Sequence, residues 1–360
     1  MLILFGCIEP FEPVIGETKV SLVIDGMLTD GAYNSPEYIP EKGAFVEISN
    51  ARGNRIVLPE SEAGLYEQFF AQSFLETNQS YTLHIITSDG NEYISYPDTM
   101  LPCPPVETVY YKQEVRETSN PLYPINGVQI YTDLKIPEGH ARNYRWEMDE
   151  TWEYHAPYSI QVYYIGYIVD LGSPNDSLKK CWISNKVRKI QTITTSQIAG
   201  DKVNGIPLNY VSDESNRLKF KYSLLVKQYA LSTMAYNYWN QLEKQSQESG
   251  GLYEQQPARI HDNVYNPSDP TERVLGYFNV SSVTEKRIYI EEHFPFHIHD
   301  YDCTPFAVNQ WNPLYMYTAA DYPIYLLIRD PYLRSYDMAG DVCFDCREGG
   351  GSTSPPDFWE

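Results

Sequence analysis

The segment Tyr144-Arg-Trp-Glu-Met-Asp-Glu-Thr-Trp-Glu-Tyr-His-Ala-Pro-Tyr158 alternates polar and apolar side chains. With the period of two that a β-strand imposes, one face carries carboxylates such as Glu147 and Glu153, and the other carries rings such as Trp152. The alternation predicts a strand whose apolar face lies in the core and whose polar face is solvated. Glu150 interrupts the apolar face, so we expect an Arg or Lys to pair with it if it is buried.

Further short strands, separated by turn residues, predict a mainly β chain with two domains. Residues 18–105 have the size and strand spacing of an immunoglobulin-like β-sandwich, and Asp89-Gly90 predicts a tight hairpin within it. A cluster of prolines from Pro97 to Pro105 marks its end, because proline cannot occupy a central strand. Residues 106–340 then predict a larger β-rich domain, and residues 341–360 a tail of Gly, Ser and Pro.

Within the larger domain, residues 233–249 predict one long amphipathic helix. Ser232 is a good N-cap, Gly250-Gly251 is a typical stop, and apolar residues recur at helical spacing between them. The same domain is expected to contain a single strand over 160–169 and a hairpin formed by 274–283 and 286–290.

The charge balance limits the classes of partner. The chain has 360 residues with 48 Asp and Glu against 27 Lys and Arg, which gives a net charge of −21. Nucleic-acid binding and polybasic membrane binding both need clustered Lys and Arg, so neither is expected. The 32 tyrosines instead suit β-sheet surfaces and protein-binding faces.

The first residues indicate the compartment. Residues 1–7 end in Leu4-Phe5-Gly6-Cys7, which is similar to a bacterial lipobox that follows a truncated signal peptide, and residues 8–17 have the composition of a tether. We therefore expect acyl chains, palmitate among them, on Cys7. The alternative is a chance apolar run that ends at a buried cysteine. No other apolar run approaches the roughly 20 residues of a membrane span.

Seven motifs carry a family resemblance beside the opening segment. They are Leu22-Val-Ile-Asp-Gly-Met27, Arg217-Leu-Lys-Phe-Lys-Tyr-Ser-Leu-Leu-Val-Lys-Gln-Tyr-Ala-Leu231, Tyr236-Asn-Tyr-Trp239, Gln256-Pro-Ala-Arg-Ile260, Val274-Leu-Gly-Tyr-Phe-Asn-Val-Ser-Ser-Val283, Cys343-Phe-Asp-Cys-Arg347 and Pro356-Asp-Phe-Trp359. Together they resemble the Bacteroidota lipoprotein family known as domain of unknown function four-two-four-nine. The resemblance implies an outer-membrane setting, often beside TonB-dependent receptor-like proteins, and it supplies no catalytic residues.

Cysteine and histidine residues offer further candidate sites. An envelope setting permits disulfides, which we expect among Cys181, Cys303, Cys343 and Cys346 with the pairing left open. Cys343-x-x-Cys346 could also be half of a redox or zinc site, although the chain has no second such motif. His297 and His299 are weak metal candidates, because on a strand they would point the same way.

Two other residue sets bear on function. Glu147 and Glu153 share a face and could form the carboxylate pair of a glycoside hydrolase. Aromatic residues that could stack on a sugar or a peptide are Tyr110, Tyr163, Tyr315 and Tyr317.

These features favour a non-enzymatic outer-membrane lipoprotein that needs no cofactor. We expect an accessory subunit of a TonB-dependent transporter or of another outer-membrane β-barrel complex, held in the lipid through Cys7. Glu9 and Glu12 favour the cell surface over the periplasmic face. The alternative is a stand-alone surface lipoprotein that binds a glycan or a peptide, and a carboxylate or metal hydrolase is the least favoured hypothesis.

Overall fold

The structure is a computed structural model that describes residues 23–29, 40–71, 73–120, 122–198, 200–248, 262–309 and 313–359, with the backbone alone for 23–29 and 247–248. The chain is mainly β, with several antiparallel sheets and one α-helix in the described part, as predicted. The predicted signal 1–7 with Cys7 and the tether 8–17 lie outside the described residues.

The chain divides into two compact units. The smaller contains the described residues of 1–28, 32–99 and 260–280, and the larger contains those of 29–31, 100–259 and 281–360. The first boundary falls within the predicted proline cluster. The division differs from the predicted 18–105 and 106–340 because residues 260–280 return to the smaller unit, where Val264–Tyr265 pairs with Glu92–Ser95.

The smaller unit is built on one antiparallel sheet. Its strands, in order across the sheet, are Val264–Tyr265, Glu92–Ser95, Ser80–Ile86, Phe45–Asn50 and Arg55–Leu58, with Asp98–Thr99 also paired to Ser80–Ile86. Two smaller pairings are Glu60–Glu62 with Leu65–Tyr66 and Val23–Thr29 with Leu275–Ser281. The predicted hairpin at Asp89-Gly90 is present, and Gly90 has φ of 90° in its turn.

The larger unit contains three sheets, which we call the inner, central and outer sheets. The inner sheet has the strands Lys202–Ser212, Ile125–Lys135 and Thr108–Arg116. The central sheet has Lys180–Lys186, Asn143–His155, Tyr222–Leu231 and Val283–Ile290, with Gln191–Thr194 also paired to Asn143–His155. The outer sheet has Ile168–Asn175, Ile160–Tyr164, Ile324–Asp330, Ser335–Met338 and Phe306–Ala307. Short 3-10 helices are Asn216–Leu218, Leu314–Met316, Asp341–Cys343 and Cys346–Gly349.

Two predicted strand assignments are wrong. Residues 160–169 form two paired strands rather than one, because Gly166 adopts φ of 86° and turns the chain between them. Residues 274–283 and 286–290 do not form a hairpin, since Leu275–Ser281 pairs with Val23–Thr29 and Val283–Ile290 pairs with Tyr222–Leu231. Only Ser282 separates those two strands, which is less than the two-residue loop that a tight hairpin needs.

The strand Asn143–His155 lies at the centre of the larger unit. Its ring-bearing face, with Tyr144, Trp146 and Met148, is fully buried in one cluster with Val128 and Leu208 of the inner sheet. This confirms that the apolar face lies in the core. The predicted solvated face is wrong, because Arg145, Thr151 and Glu153 on that face are also buried.

The α-helix covers part of this second face. It spans Thr233–Glu248, and its first turn is capped by the Ser232 hydroxyl, which accepts the backbone N–H of Ala235 at 3.1 Å. The Arg145 guanidinium stacks on the ring of Trp239, with 3.7 Å between Cζ and the ring centroid. The predicted helix is thus confirmed, and its apolar stripe contacts the sheet as expected.

Residues 341–352 are an ordered part of the larger unit and not the predicted tail. Two disulfides hold them, one joining Cys181 to Cys346 and the other joining Cys303 to Cys343. Cys343 and Cys346 are fully buried, and the backbone of Ser352 pairs with that of Trp182. The Cys343-x-x-Cys346 motif therefore ties one turn of chain to two separate strands or loops, as structural disulfides do.

We predict that peptide mapping of the non-reduced protein recovers one peptide pair joined by Cys181–Cys346 and another joined by Cys303–Cys343. Each bridge closes a long loop in the unfolded chain, so replacing either pair by Ala should lower the free energy of unfolding by about 2–5 kcal/mol. Recovery of Cys343 linked directly to Cys346 would contradict this arrangement.

Candidate functional site

A cavity of about 410 Å³ opens in the larger unit, beside Glu150 and Trp152 of the strand Asn143–His155. Its lining comes from four separate chain segments that the central sheet brings together. The lining residues are Glu150, Trp152, Asn185, Glu214, Ser215, Asn216, Arg217, His299, Asp300 and Tyr301. A volume of this size is within the range of about 300–1,000 Å³ that small-molecule sites occupy.

One wall of the cavity is an ion pair between buried Glu150 and partly exposed Arg217. Glu150 accepts hydrogen bonds from Arg217 Nη1 at 3.1 and 3.0 Å and from the Tyr222 hydroxyl at 2.9 Å. Burial, and then the charge of Glu150, raises the pKa of Tyr222 well above its usual value, so this hydroxyl stays protonated and donates. The expected partner of Glu150 is therefore Arg217, and the pair fixes the guanidinium at the cavity wall.

Arg217 reaches this position because the chain makes a short 3-10 helix, Asn216–Leu218, immediately before the strand Tyr222–Leu231. Its Nε donates to the Ser215 hydroxyl at 2.9 Å, which holds the guanidinium plane from a second side. With both ends of the group hydrogen-bonded, the side chain is preorganised for a ligand.

The opposite wall is formed by His299 and Asp300. The carbonyl of Asp213 accepts both the backbone N–H of His299 at 2.8 Å and its ring Nδ1–H at 3.0 Å. Because a carbonyl can only accept, the neutral ring carries its proton on Nδ1 and leaves Nε2 as an acceptor. Asp300 accepts from Asn216 Nδ2 at 3.1 Å and pairs with Lys219.

Aromatic side chains complete the cavity. Trp152 is buried in the wall, and its indole N–H has no hydrogen-bond partner among the described residues. Tyr301 is exposed, and its ring meets that of Tyr154 edge to face with 5.2 Å between centroids. The site thus combines the exposed ring of Tyr301 with donors and acceptors that hydrogen bonds hold in place.

The carboxylate pair considered for hydrolysis is placed elsewhere. Glu147 and Glu153 lie on the other face of the strand from Glu150, and six residues of extended chain separate them by about 20 Å. Glycoside hydrolases need their two carboxylates about 5–10 Å apart. The spacing therefore does not fit a hydrolytic pair.

Both carboxylates are also held by cations. Glu147 pairs with Arg145 and lies 3.4 Å from Lys186 Nζ, and Glu153 lies 2.8 Å from Lys180 Nζ. Burial alone would raise the pKa of Glu153, but hydrogen bonds and charge from Lys180 and His155 outweigh it and lower that pKa. Glu153 is therefore an ionised structural group.

The two histidine candidates lie close together but outside any strand. His297 and His299 have ring centroids 5.2 Å apart, but residues 291–305 form no strand, because Pro295 interrupts the segment and His299 is bound to Asp213. In the part of the chain that the structure describes, no group of three or more His, Cys, Asp or Glu side chains could hold a metal ion. His299 instead lines the cavity.

The four tyrosines considered for stacking do not meet in one place. Tyr110 stacks on Tyr131 in the inner sheet, with 5.6 Å between ring centroids. Tyr163 and Tyr317 pack against two different apolar clusters of the outer sheet, and Tyr315 is exposed beside it. None of them lines the cavity, and their use in binding stays a prediction.

The sequence pattern indicated Glu150 and its need for a cation, and it indicated His299 as a metal candidate rather than a residue of this cavity. It missed the polar turn from Glu214 to Arg217, whose run of charged and amide side chains between two strands was the available signal.

We predict that Arg217→Met destabilises the larger unit by about 3–5 kcal/mol, because it leaves the buried Glu150 carboxylate without its cation. Urea unfolding followed by tryptophan fluorescence measures this, since every described tryptophan belongs to that unit. The double variant Glu150→Gln with Arg217→Met should recover part of the loss. An Arg217→Met protein as stable as the parent would contradict a buried pair.

Comparison with known proteins places the chain in a family without assigning an activity. No curated protein and no solved structure matches it. Among the described residues, no helix combines the length and the apolar character that crossing a bilayer requires. A family model described as "Domain of unknown function (DUF4249)" matches residues 8–287, which is well over half of the chain. The chain therefore belongs to the DUF4249 family.

Proposed function

We propose that this protein is a non-enzymatic, lipid-anchored component of the outer membrane. In this proposal it serves as an accessory subunit of a TonB-dependent transporter or of another outer-membrane β-barrel complex. The lipobox-like run Leu4–Cys7 and the polar tether after it support the anchor. The carboxylates Glu147 and Glu153, held by cations, support a structural use of the acidic strand.

The observation that carries the docking role is an exposed apolar turn in the outer sheet. Tyr332 is 95% exposed and Leu333 is 78% exposed, between the strands Ile324–Asp330 and Ser335–Met338. A carboxylate oxygen of Asp330 accepts the backbone N–H of Tyr332 at 2.8 Å and that of Leu333 at 3.1 Å. Asp330 thus holds the backbone of a turn that presents two large apolar side chains to solvent.

More apolar surface belongs to the same sheet. Phe306 and Ile328 are exposed on its strands, and Tyr315 and Met316 are exposed on the 3-10 helix Leu314–Met316, which packs against the sheet through Leu314. A folded soluble protein seldom leaves many large apolar groups in water on one element without a partner, and aromatic side chains are frequent anchors at interfaces. The outer sheet is thus the proposed docking element.

The charge of the chain supports an acyl anchor over an electrostatic one. A net charge of −21 repels anionic lipid headgroups, so attachment to the membrane would depend on the chains bound to Cys7. Confinement to the plane of the membrane raises the effective concentration of the protein beside a barrel, which permits a small apolar contact to suffice. The acidic residues Glu9 and Glu12 favour the cell surface over the periplasmic face.

We predict that the protein expressed from its own gene carries acyl chains on Cys7 and fractionates with the outer membrane. Intact mass and metabolic labelling with palmitate test this, and Cys7→Ser should remove both the label and the membrane association. Cys103→Ser is the matched control and should keep both. Label retained in Cys7→Ser, or an unmodified Cys7 in cytosolic material, would refute the anchor.

We predict that Tyr332→Ser with Leu333→Ser lowers the recovery of a β-barrel partner at least tenfold in a mild-detergent pull-down through a C-terminal tag. The loss is expected because the two side chains form the centre of the proposed contact, while their exposure in the free protein leaves the fold intact.

The matched control changes the same residue types in a different exposed turn. Leu122 and Tyr123 are 82% and 72% exposed between the strands Thr108–Arg116 and Ile125–Lys135 of the inner sheet. Leu122→Ser with Tyr123→Ser should leave the recovery of the barrel unchanged. Equal losses in both double variants, or a parent protein recovered without any barrel, would overturn the proposed docking element.

A further inference from the structure

We propose that the cavity between Arg217 and Asp300 is a binding site for a neutral saccharide. This inference goes beyond the proposed docking role, because the cavity is lined by none of the exposed apolar residues of the outer sheet that carry that role. It concerns recognition only, and no bond is formed or broken.

The charges of the lining residues disfavour both anionic and cationic ligands. Three carboxylates, Glu150, Glu214 and Asp300, outnumber the two cations that pair with them, so a phosphate, sulfate or carboxylate ligand would meet net repulsion. Glu150 is already compensated by Arg217 and Asp300 by Lys219, which leaves too little free negative charge to favour a cation strongly. A neutral ligand fits this balance.

The polar groups of the lining match hydroxyl groups, which both donate and accept. Arg217 offers donors, the Nε2 atom of His299 is an acceptor, and the side-chain amides of Asn185 and Asn216 supply both kinds of group. The exposed carboxylate of Glu214 adds a strong acceptor at the rim. A purely apolar ligand would leave all these groups unpaired, which costs binding free energy.

An exposed aromatic ring supplies the remaining element of saccharide recognition. Tyr301 is 40% exposed and presents ring surface against which the C–H face of a sugar ring can pack, while the sugar hydroxyls turn toward the polar groups. Tyr301 is positioned by its edge-to-face contact with Tyr154 and by its backbone N–H, which donates to Asp300 at 2.9 Å.

The site is also fixed before a ligand arrives. Arg217 is held by Glu150 and Ser215, His299 is held by two hydrogen bonds to one carbonyl, and Asp300 is held by Asn216 and Lys219. Because few side chains must be ordered on binding, a modest number of contacts gives measurable affinity.

Isothermal titration calorimetry of the full chain, made soluble by Cys7→Ser, tests the inference. The probes are four neutral tetrasaccharides (maltotetraose, cellotetraose, mannotetraose and xylotetraose) and one sulfated tetrasaccharide from chondroitin sulfate. We expect at least one neutral probe to bind with a Kd below 1 mM, and the sulfated probe to bind at least tenfold more weakly.

The variant Asn185→Ala with Glu214→Gln removes two exposed groups from the lining and should weaken binding at least tenfold without affecting folding. Glu117→Gln with Asn204→Ala makes the same chemical changes at exposed positions outside the cavity, and should leave the Kd unchanged. Absence of binding by all four neutral probes at 10 mM, preference for the sulfated probe, or equal effects of the two double variants would overturn the assignment. None of these results bears on the barrel pull-down, so the two proposals fail separately.

Discussion

The larger unit depends on one constraint: the strand Asn143–His155 is covered on both faces, so each charged side chain it carries must find a partner inside the protein. An unpaired buried charge costs several kcal/mol, which is a large share of the stability of any domain. Glu147 therefore pairs with Arg145, Glu153 with Lys180, and Glu150 with Arg217. Lys180 lies on a neighbouring strand and Arg217 lies in the 3-10 helix Asn216–Leu218.

The two faces of that strand have different surroundings. On one face, the helix Thr233–Glu248 packs against the strand, and the carboxylates are paired with cations. On the other face, Glu150 and Trp152 line the cavity, and Glu150 orients Arg217 there. The apolar turn at Tyr332 belongs to a different sheet, so the proposed docking surface and the proposed ligand site can act independently.

Local patterns in the sequence were sufficient for much of the fold. Alternation predicted the strand from Tyr144, Ser232 predicted the start of the helix, and Asp89-Gly90 predicted a hairpin, because each of these depends on neighbouring residues alone. Long-range partners could not be read in this way. The pairing of Cys181 with Cys346, and of Glu150 with Arg217, joins residues far apart in the chain, and nothing in the local pattern distinguishes one partner from another. The cavity was missed for the same reason, since tertiary structure alone brings His299 to the turn at Glu214.

The most direct test of the doubly covered strand is amide hydrogen exchange, because exchange reports how often each backbone hydrogen bond opens. Asn143–His155 pairs with strands on both sides, whereas Ile168–Asn175 is the edge strand of the outer sheet. We predict that the amides of Trp146, Met148 and Glu150 are among the slowest to exchange and are at least a hundredfold slower than those of the edge strand. Exchange of the two strands at similar rates would show that Asn143–His155 opens as readily as an edge strand, and would contradict its place in the core of the larger unit.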